Sequence, residues 1–369
     1  MNDNTIFIFD AHAGMKLSRD IILSDGSLLA PKDTVLTPSL IAKISSLHVL
    51  EINIYNEDED SASQAERNAA LARTDADNIN YYERVRNSDE FKHFESEYNV
   101  NVDSVKDNLN LFLTAENNID TDTMVSETMN ILSEARNSLQ MFDMLHAMRN
   151  KDDLTFVHSV NVALIASIIG KWLNFNDEQI KTLTLAGLLH DIGKLLVPDN
   201  ILNKPGTLTD NEYEIMKHHV NLGYEQIKDK KLPLPVKEAI LLHHEKCDGS
   251  GYPFGLKSPD IPAVAKIITI ADVYDAMTAS RIYRAPICPF EVVKMMYQDA
   301  FTKFDPIYAI PFLKNVVASY IGTNVKLSDG RTGKVVLIND NALDKPIVQC
   351  GNDYVNLSKN SGLSIVSLM

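Results

Sequence analysis

Ten histidines are spread over 369 residues, and six of them stand between positions 158 and 244: His158, His190, His218, His219, His243 and His244. A lone histidine on an apolar helix is usually a core or surface residue. Six of them on four successive helical segments are poorly explained as independent cases. Imidazole nitrogens and carboxylate oxygens, with no thiolate among them, suit iron, manganese or another divalent first-row ion. His190 and Asp191 are the sharpest pair, because they end the apolar run Leu185-Ala186-Gly187-Leu188-Leu189. Their polar groups enter a buried setting, where an unpaired charge is costly. Coordination of a metal removes that cost, and a carboxylate with two oxygens can bridge two ions, the role expected of Asp191. Taken alone, the same aspartate could cap a helix instead. Lys194 follows His190 by four residues and shares its side if that turn stays helical; the plain alternative is a solvated surface lysine. Arg281 and Arg284 stand three apart and face one side of a helix end. Forked guanidinium contacts there suit phosphate, although surface charge near a helix C-terminus is favoured anyway.

The elements that must position these groups are helices. Leu154 to Leu173 and Asp177 to Leu189 place apolar residues at spacings of three and four. Thr209-x-x-Glu212 predicts a capping box opening the helix that carries His218 and His219. Pro235 starts a helix ending in the His243-His244 pair, and Pro262 starts one running to about Ser280, with Asp272 inside it. Such a succession predicts an all-α bundle over residues 124–321, whose inward faces aim side chains at one axial site. Residues 1–55 are expected to form a small β-containing accessory module, with a turn at Ser24-Asp25-Gly26-Ser27 and a strand over Leu47 to Tyr55. Residues 56–123 read as an acidic helical or loose linker: from Glu51 to Asp103 there are 14 acids against 5 bases, with little apolar periodicity. Residues 322–369 read as a second small β module, with a hairpin around Ser328-Asp329-Gly330 and strands at Ile347 to Cys350 and Tyr354 to Leu357. The expected fold class is mainly α, a helical bundle with small β-rich modules at the N- and C-termini.

Three strings carry a family resemblance: Leu189-His190-Asp191-Ile192-Gly193-Lys194; His243-His244-Glu245-Lys246-Cys247-Asp248-Gly249-Ser250-Gly251-Tyr252-Pro253; and Ala271-Asp272-Val273-Tyr274-Asp275-Ala276-Met277-Thr278, followed by Arg281 and Arg284. Over about residues 150 to 315 the chain resembles the HD-GYP family of cyclic di-GMP phosphodiesterases, built on the helical HD domain. An HD pair alone occurs in many phosphohydrolases, whereas the HHE…DGxGYP string is specific. The resemblance implies metal ligands at His158, His190, Asp191, His219, His243, His244 and Asp272. His219 is chosen over His218 because the family's histidine stands four residues before a glycine, here Gly223. It also implies that Lys194 lies near the metals and that Arg281 and Arg284 meet the ligand phosphates. Where some members carry a glutamate that helps hold a third metal, this chain has Leu154, so two divalent ions are expected. Cys247 stands where the family often has a large aromatic residue, and no ligand role is assigned to it.

The implied reaction is hydrolysis of cyclic di-GMP to pGpG by a metal-bridging hydroxide, with onward cleavage to GMP less secure. The alternatives are another cyclic dinucleotide, such as cyclic GMP-AMP, and a receptor that binds without cutting. The complete ligand set argues against the receptor. The loop Gly251-Tyr252-Pro253 could present the Tyr252 ring to a base or to a partner protein, or be purely structural.

Bulk properties set outer limits. A net charge of -15 argues against sequence-independent binding to DNA or RNA, while a local cation cluster leaves a small anionic ligand open. Cys247, Cys288 and Cys350 are far apart and suit a reducing compartment. The run Ile6-Phe7-Ile8-Phe9 lacks the basic start and length of a signal sequence, and Val160 to Gly170 falls short of a membrane span. A cytoplasmic chain without membrane insertion is the expectation. The input signal of the N-terminal region and a homodimer stay open.

Overall fold

The computed structural model describes residues 3–8, 11, 14–22, 27–37, 40–41, 43–44, 49, 51–55, 76–114, 120–148, 154–204, 208–278, 287–360 and 362–369. The turn expected at Ser24-Asp25-Gly26 and the two arginines Arg281 and Arg284 lie outside these residues. The chain divides into two compact units, one of residues 1–71 with 196–219, the other of residues 72–195 with 220–369.

In the smaller unit, β1 (Asp3–Phe7) pairs antiparallel with β4 (Glu51–Tyr55), and β2 (Ile21–Ile22) with β3 (Leu28–Ala30). Ile6, Ile8, Leu17, Ile52 and Ile54 are buried in it.

The larger unit opens with α1 (Ala76–Arg86), α2 (Asp89–Thr114), α3 (Thr121–Glu134) and α4 (Ser138–Ala147). It continues through α5 (Leu154–Trp172) and α6 (Asp177–Leu189). The chain then enters the smaller unit for α7 (Asp199–Leu202) and α8 (Asp210–Lys217). It returns along α9 (His219–Ile227) to α10 (Leu234–Leu242), α11 (Ala263–Thr278), α12 (Pro289–Asp299) and α13 (Pro306–Ser319). The fold is mainly α, with small β elements at both ends of the chain.

Helix α5 is the core of the bundle and packs on α2, α3, α6, α11 and α13. Val160 to Ile169 are buried on every face, as a helix that is apolar all round must be. By length and composition Thr155–Trp172 could cross a membrane, but 78% of it is buried inside the protein. It approaches α6 closely because α6 carries Gly187 at the crossing: a Cβ there would stand 2.5 Å from the Cα of Ala163. That approach brings His190, one turn beyond Gly187, beside His158. Helix α6 starts where expected, on a reciprocal cap between Asn176 and Gln179.

The acidic stretch read as a solvated helical or loose linker is helical over Ala76–Arg86 and Asp89–Thr114, and packed rather than solvated. Helix α2 buries Phe91, Phe94, Tyr98, Val102, Val105, Leu109 and Phe112 at intervals of three and four. Thr209 and Glu212 form the expected capping box, yet the helix they open ends at Lys217. His218 takes the C-cap with its N–H on the carbonyls of Ile215 and Met216, and His219 begins a new helix. The turn after Asp191 also departs from expectation. Ile192–Leu196 is a 3-10 segment, so Lys194 comes round to Asp191 rather than to His190.

The C-terminal residues form one five-stranded antiparallel sheet of β5 (Asn324–Leu327), β6 (Thr332–Leu337), β7 (Ile347–Cys350), β8 (Asp353–Asn356) and β9 (Ile365–Leu368), in the order β8-β7-β6-β5-β9. The hairpin and the two strands after it match the sequence reading; β9, which returns to pair with β5, does not appear there.

Candidate metal centre

The helix ends deliver the polar groups. His158 projects from the first turns of α5; His190 and Asp191 end α6; His219 begins α9; His243 and His244 end α10; Asp272 lies midway along α11. Two sets result. Asp191, His219, His243 and His244 each offer a donor atom within 4.8 Å of one another, and so do His158, His190 and Asp272. Asp191 stands between the sets. Its Oδ2 is 3.2 Å from His190 Nε2 and 3.7 Å from His158 Nε2, while its Oδ1 is 3.7 Å from His243 Nε2. Asp272 joins the last member, with Oδ2 3.8 Å from His244 Nδ1. All seven residues picked out in the sequence are thus gathered in one place, and this cluster could hold metal ions.

Three of the rings are held at Nδ1 by main-chain carbonyls. His190 Nδ1 donates to the carbonyl of Gly187 at 2.7 Å, and His219 Nδ1 to that of Met216 at 2.7 Å. His243 Nδ1 is shared between the carbonyls of Ala239 and Ile240 at 3.1 Å each. A carbonyl can only accept, so in the neutral ring the proton must sit on Nδ1 and the lone pair on Nε2. Each of these bonds reaches back three or four residues, which is the geometry of a histidine just past a helix turn. The carbonyl of His243 is itself held by Thr269 Oγ1 at 2.6 Å, tying the end of α10 to α11.

His158 is fixed differently, by side chains. Its Nδ1 meets Asp275 Oδ2 at 2.8 Å and its Nε2 meets Asp272 Oδ1 at 3.0 Å. Burial disfavours the charged ring, but bonds to Asp272 and Asp275 outweigh it and raise the pKa to about 10. Burial pushes Asp272 up, and the bond and charge of His158 pull it well below the usual carboxylate range. Asp275 was not singled out in the sequence. Its signal was available, since it lies three residues from Asp272 and therefore on the same face of α11. Asn161, three residues from His158, donates from Nδ2 to Asp275 Oδ1 at 3.0 Å.

The site suits cations. His190 Nε2 is buried and has no hydrogen-bond partner among the described residues, an arrangement that costs free energy unless a metal takes the lone pair. The Lys194 ammonium lies on Asp191 Oδ2 at 2.5 Å, so the carboxylate already attracts positive charge. The side chain of Leu154, at the first residue of α5, lies outside the described ones, and His218 is no member of either set.

The loop after the histidine pair is held against residues 244–246 by backbone fit. A Cβ on Gly251 would come within 2.4 Å of Lys246 N and 2.5 Å of His244 O, so only glycine passes. Glu245 is buried and accepts from the amides of Phe254 at 2.7 Å and Leu256 at 2.8 Å. The Tyr252 ring stacks on the imidazole of His244, with centroids 4.7 Å apart.

Residues 130–307 match the family described as HD domain. A cyclic di-GMP phosphodiesterase of Pseudomonas aeruginosa is 37% identical over 203 residues, 55% of this chain and 49% of that protein. A 3′3′-cGAMP-specific phosphodiesterase of Vibrio cholerae is 40% identical over 153 residues, 42% of this chain and 36% of that protein. A solved HDG"Y"P protein of Bdellovibrio bacteriovorus has a TM-score of 0.44 and 18% identity, covering 86% of this chain and 99% of its own. This chain spans less than half the length of the two curated relatives. The stretch from 130 to 307 matches the HD domain, and in its motifs the chain is similar to the HD-GYP proteins of that family.

Proposed function

We propose that this chain hydrolyses cyclic di-GMP to pGpG with the help of two divalent metal ions, iron or manganese. The observation that carries the reading is Asp191, whose two oxygens face two separate sets of histidines. One ion would be held by His158, His190, Asp191 and Asp272, the other by Asp191, His219, His243 and His244. Such ions, when bound, activate water and neutralise the charge of the phosphodiester. The protein's own groups supply the rest. The Nδ1 bonds keep the histidine lone pairs inward, so no reorientation is needed when the site is filled. Lys194 carries at Nζ the proton that the departing 3′-oxygen requires. Arg281 and Arg284 hold the phosphates, and Tyr252, braced on His244, offers a flat face to a base. Leu154 stands where a third ion would need a carboxylate, which favours arrest at pGpG. We assign the chemistry to residues 124–321, flanked by a β-containing module (1–55), the acidic segment (56–123) and the terminal β module (322–369).

A second reading keeps the chemistry and changes the substrate to cyclic GMP-AMP. The specificity printed in the name of the Vibrio cholerae relative supports it. The test is metal analysis of anaerobically purified protein, followed by turnover of both cyclic dinucleotides after addition of iron or manganese. Preferential release of pGpG from cyclic di-GMP is the expected result. Preference for cyclic GMP-AMP selects the second reading; bound metal with no turnover of either substrate makes the chain a receptor and overturns the enzyme.

A further inference from the structure

We infer that Asp275 is a positioning residue for His158, and that it is braced from helix α2 through Asn161 and Tyr98. The inference rests on the reading of His158 as a metal ligand and adds how that ligand is aimed.

The evidence is a buried hydrogen-bond chain whose direction is dictated by its chemistry. The Asp275 carboxylate can only accept. It takes His158 Nδ1–H on Oδ2 at 2.8 Å and Asn161 Nδ2–H on Oδ1 at 3.0 Å. The first bond puts a proton on Nδ1, so Nε2 is the nitrogen turned toward Asp272 and Asp191. The second fixes the amide of Asn161, leaving its Oδ1 to accept. Tyr98 OH donates to that oxygen at 2.6 Å, with the carbonyl of Val157 3.2 Å away. Tyr98, Asn161 and Asp275 are all buried, so a broken link would strand a polar group away from water.

His158 is thereby unlike its neighbours. His190, His219 and His243 are clipped to main-chain carbonyls three or four residues back, and no substitution of a surrounding side chain removes those acceptors. His158 depends on a carboxylate from α11 and, through it, on a tyrosine of α2. That helix lies outside residues 130–307, which match the HD domain. Tyr98 is itself wedged in the buried stripe of α2 beside Phe94, with ring centroids 5.6 Å apart. Displacement of α2 would withdraw the donor that orients Asn161, and Asp275 would lose the contact that keeps Oδ2 on His158.

The test is calorimetric titration of metal-free full-length protein with manganese, on wild type, Asp275→Ala, Asp275→Asn and Tyr98→Phe. The thermal midpoint of each metal-free protein is measured beside it. Manganese affinity should fall about 10–100-fold in Asp275→Ala, the range for loss of a group that orients a metal-bound histidine. Asp275→Asn should lose less, because its oxygen still accepts from His158 and a flipped Asn161 can accept from its amide. Tyr98→Phe should weaken binding roughly 2–10-fold, the worth of one neutral hydrogen bond. Lowered midpoints with wild-type manganese affinity in both Asp275 variants would make the aspartate merely structural and overturn the inference. If Asp275→Ala does not fold, Asp275→Asn and Tyr98→Phe decide alone. Weakened Asp275→Asn beside unaltered Tyr98→Phe removes α2 from the chain. A wild-type protein that takes up no manganese overturns the metal reading and this inference together, an outcome distinct from wild-type uptake with unchanged variants.

Discussion

Lys194 and Asp191 show how a single contact does two jobs. The Lys194 ammonium donates to Asp191 Oδ2, the carboxylate oxygen that would also face a metal ion, and in the proposed reaction the same group delivers a proton. Replacement by methionine should therefore split two measurements. Metal content should stay level or rise, because a competitor for Asp191 is gone, while turnover should fall roughly 10²–10⁴-fold, the usual contribution of general acid catalysis. Equal losses in both would show that Lys194 only supports the metal ligands. At this scale the sequence was informative about the residues that cluster and silent about their supports. The seven metal candidates announce themselves as histidines and aspartates in polar islands within apolar runs. Asn161 and Tyr98 do not, because an asparagine and a tyrosine in a helix have many ordinary roles. Only a third dimension shows that they stand end to end.

Among the elements, the loop after α10 makes the tightest demand. Glycine at 251 lets the chain pass within contact of Glu245, Lys246 and His244, all backbone atoms that cannot swing away. Gly251→Ala should cost about 1–3 kcal/mol in denaturant unfolding, as overpacking does, and should reduce metal content by displacing His244. Gly362→Ala, with nothing within 4 Å of the added carbon, is the control and should stay within about 0.5 kcal/mol of wild type. Equal effects at the two positions would refute the steric argument. Helices α5, α6, α10 and α11 were legible from apolar spacing and caps. Helix α2 was not, since its stripe from Phe91 to Phe112 is diluted by acids and asparagines that average the window to neutrality. The break at His218 was hidden for a different reason: both sides of it favour helix, and the fold decides where one stops. Strand β9 depends on a long-range partner, β5, which local pattern does not reveal.

The whole molecule carries a titration away from the metal centre. Asp143 on α4 is buried and accepts from Tyr81 OH of α1 at 2.6 Å. Burial raises its pKa to about 7, against the partial lowering by Tyr81. Between the ordinary carboxylate value and 7, the folded protein holds a proton that the unfolded chain has lost. Stability attached to this group is therefore complete below about pH 4 and lost as pH rises to 7. Asp143→Asn, which keeps an acceptor for Tyr81, should flatten the fall over that window. At pH 8 it should be more stable than wild type by up to about 4 kcal/mol, one pKa unit being worth about 1.4 kcal/mol. Parallel stability curves for the two proteins from pH 4 to 8 would rule it out.

The apolar character of α5 has a practical consequence for anyone handling the protein. A helix fit by composition for a bilayer is buried here inside the protein, and part of its cover is α2, which precedes the matched HD segment. Trimming the chain to residues 130–307 would peel that cover away and expose Phe156 and Val157, which meet Lys106 and Tyr98 of α2. Such a fragment should clump, bind hydrophobic dyes and cling to detergent micelles, whereas a chain beginning ahead of α1 should stay dispersed. Light scattering of the two proteins at equal concentration reads the difference directly.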